Sequence, residues 1–263
     1  MVAFGPETMT KHRFYCPGEI IPGRILGLPP NAAHHAARVL RLEPGDRVIL
    51  FNGRGGEFPA VIAGISKSGT TVTVGEHVAA ECESPLDITL VQAVCANEKM
   101  DWIIQKAVEM GVNRIQPIGT TRSLIRLSGE RADKRLQHWQ QIVVSACEQC
   151  GRNHVPQLLP VLPLSDWLSH QMDRQEVSPG ESAHNPCFML LPTSNKSLRD
   201  FPKTTQYTSL TVVVGPEGGF APEEEAAALV AGLVPLRLGE RILRTETAAL
   251  AAVAAMQALW GDY

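Results

Sequence analysis

A glycine-rich loop, Gly215-Pro216-Glu217-Gly218-Gly219, follows directly after the apolar run Leu210–Val214. Ligands of α/β proteins bind at such places, where a strand ends in a turn and a helix begins. The spacing is neither GxGxxG nor GxxxxGKS/T, which excludes a dinucleotide fingerprint and a P-loop. Pro222 and Glu223–Glu225 come next, and carboxylates at the start of a helix would repel a phosphate. The loop therefore favours a neutral or cationic ligand; the alternative is a plain tight turn with an acid-capped helix.

A second segment of the same kind spans residues 236–248 (LRLGERILRTETA). It leaves an apolar strand, turns at Gly239 and enters an Ala-rich helix. Charged groups inside an apolar segment cost desolvation energy unless they are paired or used. Arg241 and Arg244 can form ion pairs with Glu240 and Glu246 inside the loop, or these charges can line a pocket. Because both loops follow strands near the C-terminus, we favour a pocket that they share.

The elements that position these loops alternate between strand and helix, which predicts an α/β domain with a mostly parallel sheet from residue 86 to residue 263. The predicted strands are Ile88–Val94, Ile115–Ile118, Phe188–Leu191, Leu210–Val214 and Val234–Leu238. The predicted helices are Lys99–Met110, Arg135–Cys150, Glu223–Ala231 and Thr247–Leu259. The polar stretch Asp173–Pro186 has no period and predicts a surface loop.

A different pattern precedes residue 80. Three β-rich runs, Arg47–Phe51, Phe58–Ile65 and Thr70–Val74, accompany one helical pattern at 31–42. This pattern predicts a small β-barrel over residues 1–80. The polar, proline-ended segment Glu81–Pro85 is the predicted domain boundary.

Composition and charge narrow the function classes. The 263 residues are 44% apolar and 19% charged, which excludes a disordered, collagen-like or coiled-coil chain. The net charge is −3. Residues 1–79 carry 8 basic and 6 acidic side chains, residues 96–155 carry 9 and 6, and residues 156–263 carry 7 and 12. A polyanion should therefore be bound by the first half of the chain.

Cysteines and targeting signals indicate a reduced, cytoplasmic protein. The first twenty residues lack the basic-then-apolar order of a signal peptide, and the longest apolar stretch, Ala248–Trp260, is too short to span a bilayer. Cys147 and Cys150 form one CxxC, but a structural zinc site needs four ligands and no second pair exists. We therefore expect no metal and two thiols on adjacent turns of a helix.

The two loops closely resemble a known family, the RsmE-type 16S rRNA (uracil-N3)-methyltransferases of the SPOUT superfamily. The matching motifs are Gly215–Phe220 and Leu238–Ala248 in the loops, Arg13-Phe14-Tyr15, Arg38–Leu42 and Gly45-Asp46 in the barrel, and Lys99, Gln105–Val112, Thr121-Arg122-Ser123 and Glu148–Arg152 in the middle. The resemblance implies an N-terminal PUA-like barrel, a C-terminal α/β SPOUT domain with a trefoil knot, and a homodimer. It implies S-adenosylmethionine as methyl donor and N3 of a uridine in 16S rRNA, within the 30S subunit, as acceptor.

The resemblance also implies residue roles. The expected cofactor-binding residues are Leu191, Gly215, Pro216, Glu217, Gly218, Gly219, Leu236, Leu238, Gly239, Ile242 and Leu243. Arg244 is the expected cation that stabilises negative charge on the uracil carbonyls. Glu217 or Glu246 is a candidate acceptor of the N3 proton, and pairing with Arg241 or Arg244 is the alternative use. The expected RNA contacts are Arg13, Arg38, Arg41, Arg122 and Arg152, of which the last two can instead touch the partner subunit.

Two other functions compete with this interpretation. One is an RNA-binding protein without catalysis, in which the α/β domain only dimerises; the two intact loops argue against it. The other is an enzyme that uses NAD or a nucleotide, and the absence of both phosphate-loop patterns argues against that.

Overall fold

The computed structural model describes residues 12–177, 185–202, 204 and 207–263. The chain divides into two compact units. The first comprises residues up to 82 together with 147–155, and the second comprises 83–146 and 156–263. The short segment 147–155 was not expected to belong to the N-terminal unit.

The first unit is built on one five-stranded sheet in the order β1-β3-β4-β5-β2. Its strands are β1 (His12–Tyr15), β2 (Ile25–Gly27), β3 (Arg47–Phe51), β4 (Phe58–Ser66) and β5 (Gly69–Val74). β1 pairs in parallel with β3, and the other neighbours are antiparallel. The three predicted β-rich runs are thus confirmed as strands. Their inward residues, such as Leu50, Ile62 and Val72, form the core of the unit.

The helix of the first unit departs from the expected regular form. Helix α1 (Pro30–His34) continues as a π-helix over His35–Val39. Ala32, Ala33 and Ala36 pack into the core. Arg41 follows with φ 55°, the one positive φ at a non-glycine residue in the described ranges. An insertion of π type and a strained residue often mark a functional surface.

The second unit is built on a seven-stranded sheet in which every assigned pairing is parallel. The strand order is β12-β10-β11-β6-β7-β8, and β9 also pairs with β7. The strands are β6 (Asp87–Ala93), β7 (Val112–Gly119), β8 (Gln157–Leu158), β9 (Leu162–Pro163), β10 (Cys187–Leu190), β11 (Ser209–Val214) and β12 (Val234–Leu236). The predicted parallel α/β sheet is confirmed. The inner strands β10 and β11 are mostly apolar, as expected of strands with both faces covered.

Helices connect strands of the second unit: α2 (Asn97–Glu109), α3 (Gly129–Cys150), α4 (Leu164–Val177) and α5 (Pro222–Val230). A further helix, α6 (Thr245–Trp260), follows the last strand. The four predicted helices are confirmed. The loop predicted over Asp173–Pro186 is wrong at its start, since residues 173–177 belong to α4. Residues 178–184 of that prediction lie outside the described residues. Helix α6 packs against β6 and β11 and buries Ala249, Ala252 and Val253.

No helix in the described ranges is long and apolar enough to cross a membrane. Within the same ranges, no three His, Cys, Asp or Glu residues are grouped as metal ligands. Cys147 and Cys150 both lie on α3, and neither forms a disulfide.

Candidate active site

The carboxyl ends of three neighbouring strands meet at a cavity of about 650 Å³ in the second unit. β10 ends at Leu190, β11 at Val214 and β12 at Leu236, and all three residues line the cavity. Both candidate loops line it as well. The shared pocket is confirmed, because parallel strands deliver the loops that follow them to one edge of the sheet.

Ten of the eleven expected cofactor-binding residues line this cavity: Leu191, Gly215, Pro216, Glu217, Gly219, Leu236, Leu238, Gly239, Ile242 and Leu243. Gly218 is the exception. A Cβ on Gly218 would lie 3.3 Å from the Cβ of Arg122, so its missing side chain permits that approach rather than widening the cavity. Gly219 (φ +68°) and Gly239 (φ +76°) turn the two loops through the left-handed region, which favours glycine.

A chain of hydrogen bonds joins the two loops beneath the cavity. The Gln92 amide on β6 donates from Nε2 to Thr245 Oγ1 (3.0 Å), and that hydroxyl donates to the carbonyl oxygen of Gly215 (2.6 Å). Gln92 is fully buried and Thr245 is 5% exposed. The Thr245 hydroxyl therefore links the start of α6 to the end of β11 through buried hydrogen bonds. Sequence reasoning gave neither Gln92 nor Thr245 a role.

A cation that sequence reasoning left without a role lies between the two candidate proton acceptors. Lys99 Nζ is 3.2 Å from Glu217 Oε1 and 3.6 Å from Glu246 Oε2. The backbone N–H of Ala96 donates to the same oxygen of Glu217 at 3.2 Å. Lys99, from the first turn of α2, thus connects the glycine loop with the first turn of α6.

These contacts favour the charged forms of both Glu217 and Lys99. Burial alone would raise the pKa of Glu217, but hydrogen bonds from backbone N–H groups and from Lys99 outweigh it, and the pKa is lowered. The hydrogen bond with Glu217 is the main cause that raises the pKa of Lys99. Burial, and then the charge of Glu217, raise the pKa of the nearby Cys95 thiol to about 12, so this cysteine stays protonated.

The ion pairs of Arg241 and Arg244 with Glu240 and Glu246, which were the alternative to a ligand pocket, do not form. Glu240 pairs with Arg237 at 3.0 Å, and Glu246 faces Lys99 instead. Neither Arg241 nor Arg244 has an ion-pair partner among the described residues, and both are exposed on the cavity wall. The loop arginines are thus available to a ligand.

The charge of the cavity differs from what the acids after Pro222 suggested. Five basic residues line it (Lys99, Arg122, Arg237, Arg241 and Arg244), against three acidic ones (Glu217, Glu225 and Glu240). Glu224 instead accepts hydrogen bonds from the backbone N–H groups of Ala221 and Thr121, and so serves the start of α5. A site with surplus cations suits a substrate that carries or develops negative charge.

The expected RNA contacts fall into two groups. Arg38 and Arg41 are exposed on the first unit, and Arg122 is exposed at the cavity, where it donates to the Gly218 carbonyl oxygen (3.2 Å). Arg13 instead pairs with Glu57 (2.6 Å) and donates to Asn153 Oδ1 (2.5 Å).

Arg152 is 3% exposed. Arg13 is partly buried and Arg152 is almost fully buried, so neither side chain is exposed for contact with a phosphate. Both side chains lie within the first unit.

Comparisons with known proteins match the whole architecture. The RNA methyltransferase domain family matches residues 82–257, and the RNA methyltransferase PUA domain family matches residues 28–75. The parallel sheet with a loop-lined cavity at its carboxyl edge is therefore the methyltransferase domain, and the five-stranded N-terminal domain is PUA-like. Fold and site define an RNA methyltransferase.

Individual relatives narrow the class. The ribosomal RNA small subunit methyltransferase E of Bacillus subtilis is 32% identical, over 85% of this chain and 86% of the relative. The solved protein of that name from Neisseria gonorrhoeae, bound to S-adenosyl methionine, is 38% identical with a TM-score of 0.84, over 96% of this chain and 99% of the other. A Legionella pneumophila structure described as a methyltransferase with bound cofactor SAM is 37% identical with a TM-score of 0.88, over the same shares of the two chains. The chain belongs to the ribosomal RNA small subunit methyltransferase E family.

Proposed function

We propose that this protein transfers the methyl group of S-adenosylmethionine to N3 of a uridine in 16S ribosomal RNA, within the 30S subunit. The observation that carries the proposal is the single cavity lined by both loops, in a chain that relatives of one name match over nearly its full length. The two solved relatives described above contain the same donor.

The residues of the cavity fit this donor. A cavity of about 650 Å³ is within the range of small-molecule sites. Leu191 and Leu236, both buried, offer an apolar wall for the adenine ring, and the Gly219 and Gly239 turns leave backbone accessible beside it. Glu217 places a carboxylate in the same cavity, which suits a cation. The donor supplies a methyl group on a positively charged sulfur.

Arg244 is the residue that we assign to the uracil. It occupies the N-cap position of α6, where its side chain makes no capping hydrogen bond. It lines the cavity and has no ion-pair partner among the described residues. A guanidinium stays protonated near neutral pH and cannot act as a base. It can hold the ring and stabilise the negative charge that develops on a flanking carbonyl oxygen as the N3 proton leaves.

The experiment uses labelled S-adenosylmethionine, unmodified 30S subunits and free 16S rRNA as separate substrates. We expect 3-methyluridine in digests of the 30S reaction. Arg244→Ala should keep donor affinity in calorimetry but lose about 10²–10³ in turnover, as oxyanion-type donors do. Arg244→Lys should restore only part of this, because it lacks the planar fork. Absence of methyluridine with the unmodified protein refutes the function; near-normal turnover of Arg244→Ala refutes only the role of the arginine.

The remaining parts of the proposal concern assembly. We propose residues 1–80 as the RNA-binding PUA-like barrel, with Arg38 and Arg41 as phosphate contacts, and residues 86–263 as a SPOUT domain with a trefoil knot. The Arg237 N–H donates to the Lys196 carbonyl oxygen and Thr245 Oγ1 donates to the Gly215 carbonyl oxygen, so the segment after β12 lies beside the loops that follow β10 and β11. An experimental chain trace in which α6 does not pass through a loop would contradict the knot. We further propose a homodimer, and a cytoplasmic location because the proposed substrate is a ribosomal subunit.

A further inference from the structure

The contacts of Lys99 bring three separate segments to one point. Its ammonium nitrogen lies within 4 Å of a carboxylate oxygen on the glycine loop (Glu217) and one on α6 (Glu246), while Lys99 itself stands on α2. All three residues are partly buried: their side chains are 31%, 22% and 16% exposed. Two acids that share one site in this way repel each other unless a cation lies between them.

Neither acid has another charged partner that could replace Lys99 among the described residues. Glu217 Oε1 receives one further bond, from the Ala96 N–H, and Glu246 Oε2 is buried without any hydrogen bond. Lys99 is therefore the cation that balances the negative charge of Glu246, and it is one of two described residues that donate a hydrogen bond to Glu217 Oε1. Glu217 Oε1 already accepts two hydrogen bonds, which favour the ionised form and make this oxygen a poor proton acceptor.

We propose that Lys99 is a positioning residue of the methyl-transfer site, an inference that rests on the proposed function. It bridges Glu217 and Glu246, which fixes the glycine loop against the first turn of α6. It also holds Glu217 as a carboxylate, so that this acid does not take the uracil N3 proton. That proton passes to solvent water, and the cations of the cavity stabilise the charge left on the ring. The lowered pKa of Glu217 and the raised pKa of Lys99 agree with this arrangement.

Lys99→Met tests the inference, since methionine keeps much of the length of lysine and removes its charge. Lys99→Arg restores the charge. Lys106→Met is the matched control, because Lys106 stands on the same helix and pairs with Glu109 at 2.8 Å outside the cavity. The first readout is titration of ¹³C-labelled glutamate carboxyls without donor, with Glu217→Gln and Glu246→Gln to assign the signals. The second is donor affinity by calorimetry from pH 5 to 9.

In the unmodified protein and in Lys106→Met, the Glu217 carboxyl should stay ionised across this range. Donor affinity should then change only where the donor's own α-amino group titrates, at about pH 7.7–8.0. In Lys99→Met, the Glu217 carboxyl should titrate at a higher pH than in the unmodified protein, because the hydrogen bond and the charge of Lys99 no longer lower its pKa. Donor affinity should then fall about tenfold for each pH unit below that pKa. Lys99→Arg should return both readouts most of the way to normal.

Two results would overturn the inference. One is a Lys99→Met variant with unchanged carboxyl titrations, including one that loses donor affinity equally at every pH. The other is a Glu217 or Glu246 carboxyl of the unmodified protein that titrates together with the rate of methyl transfer, because that acid would then be the base. The carboxyl titrations need no methyl transfer, so failure of the proposed function is recognised separately, by absence of methyluridine from the unmodified protein.

Discussion

Thr245→Val removes one hydroxyl from the structure and leaves the shape of the side chain nearly unchanged. That hydroxyl accepts from Gln92 Nε2 (3.0 Å) and donates to the Gly215 carbonyl oxygen (2.6 Å). The change leaves the Gly215 carbonyl without its donor. It also leaves Gln92 with one acceptor, the carbonyl oxygen of Ala93 at 3.0 Å. Gln92 is fully buried and its Oε1 already has no partner among the described residues. Rotation of the amide would therefore not restore the lost hydrogen bond.

The cost follows from these two lost bonds. A buried polar group left unsatisfied costs about 1–3 kcal/mol. The Gly215 carbonyl loses its donor and the Gln92 amide loses one of its two acceptors, so we expect Thr245→Val to lower the free energy of unfolding by about 2–4 kcal/mol. For a unit of this size each kcal/mol lowers the melting temperature by about 2–4 °C, which gives a fall of about 4–16 °C. Donor affinity should fall as well, because the hydroxyl holds the two cavity loops together.

Melting followed by circular dichroism and calorimetric titration with S-adenosylmethionine measure the two effects. Thr245→Ser keeps the hydroxyl and should stay close to the unmodified protein. Thr247→Val applies the same change at an exposed position two residues further along α6 and should alter neither readout. If Thr245→Val melts within about 1 °C of the unmodified protein, the two bonds do not stabilise the site in the way we have argued.

Two further outcomes concern RNA binding and assembly. Arg41→Gly should stabilise the first unit by about 0.5–1 kcal/mol, since φ 55° suits glycine. The same change should weaken binding to 16S rRNA. It should also lower the slope of log affinity against log salt concentration by about 1, as loss of one phosphate contact does. Filter binding at several salt concentrations checks this, and an unchanged slope would remove Arg41 from the RNA surface. Light scattering at micromolar concentration should give the mass of a dimer, and a stable, active monomer would contradict the proposed assembly.

Local patterns predicted most of the fold. Apolar runs such as Ile88–Val94 and Leu210–Val214 gave the strands, because a strand covered on both faces is apolar throughout. The shared pocket followed from the parallel direction of these strands. Helix α4, which the sequence analysis does not predict, nevertheless carries a local signal: Leu164, Trp167 and Leu168 show the i, i+3, i+4 spacing of a buried helix face.

The electrostatic part of the site could not be predicted in the same way. Sequence proximity suggested pairs between Glu240 or Glu246 and the nearby arginines, but the pairing depends on where each side chain points after folding. Glu240 faces back to Arg237, and Glu246 faces Lys99, which lies almost 150 residues away in the chain. No period or motif connects such positions. The same applies to the contact of Gln92 with Thr245.

The segment 147–155 changes how the division of labour between the two units has to be tested. Deletion of residues 1–80 would be the obvious way to ask whether the N-terminal domain binds RNA. Yet Asn153 accepts a hydrogen bond from Arg13 and donates to the Ala80 carbonyl oxygen at 2.6 Å, and Glu148 accepts one from the Tyr15 N–H at 2.9 Å. The deletion would remove these partners together with most of the unit in which segment 147–155 folds, and so would expose the buried residues of that segment to water. Loss of RNA affinity in such a truncated protein would therefore not distinguish a missing RNA surface from a damaged fold. Single substitutions at exposed positions such as Arg38 and Arg41 keep the segment intact, and only they separate the two explanations.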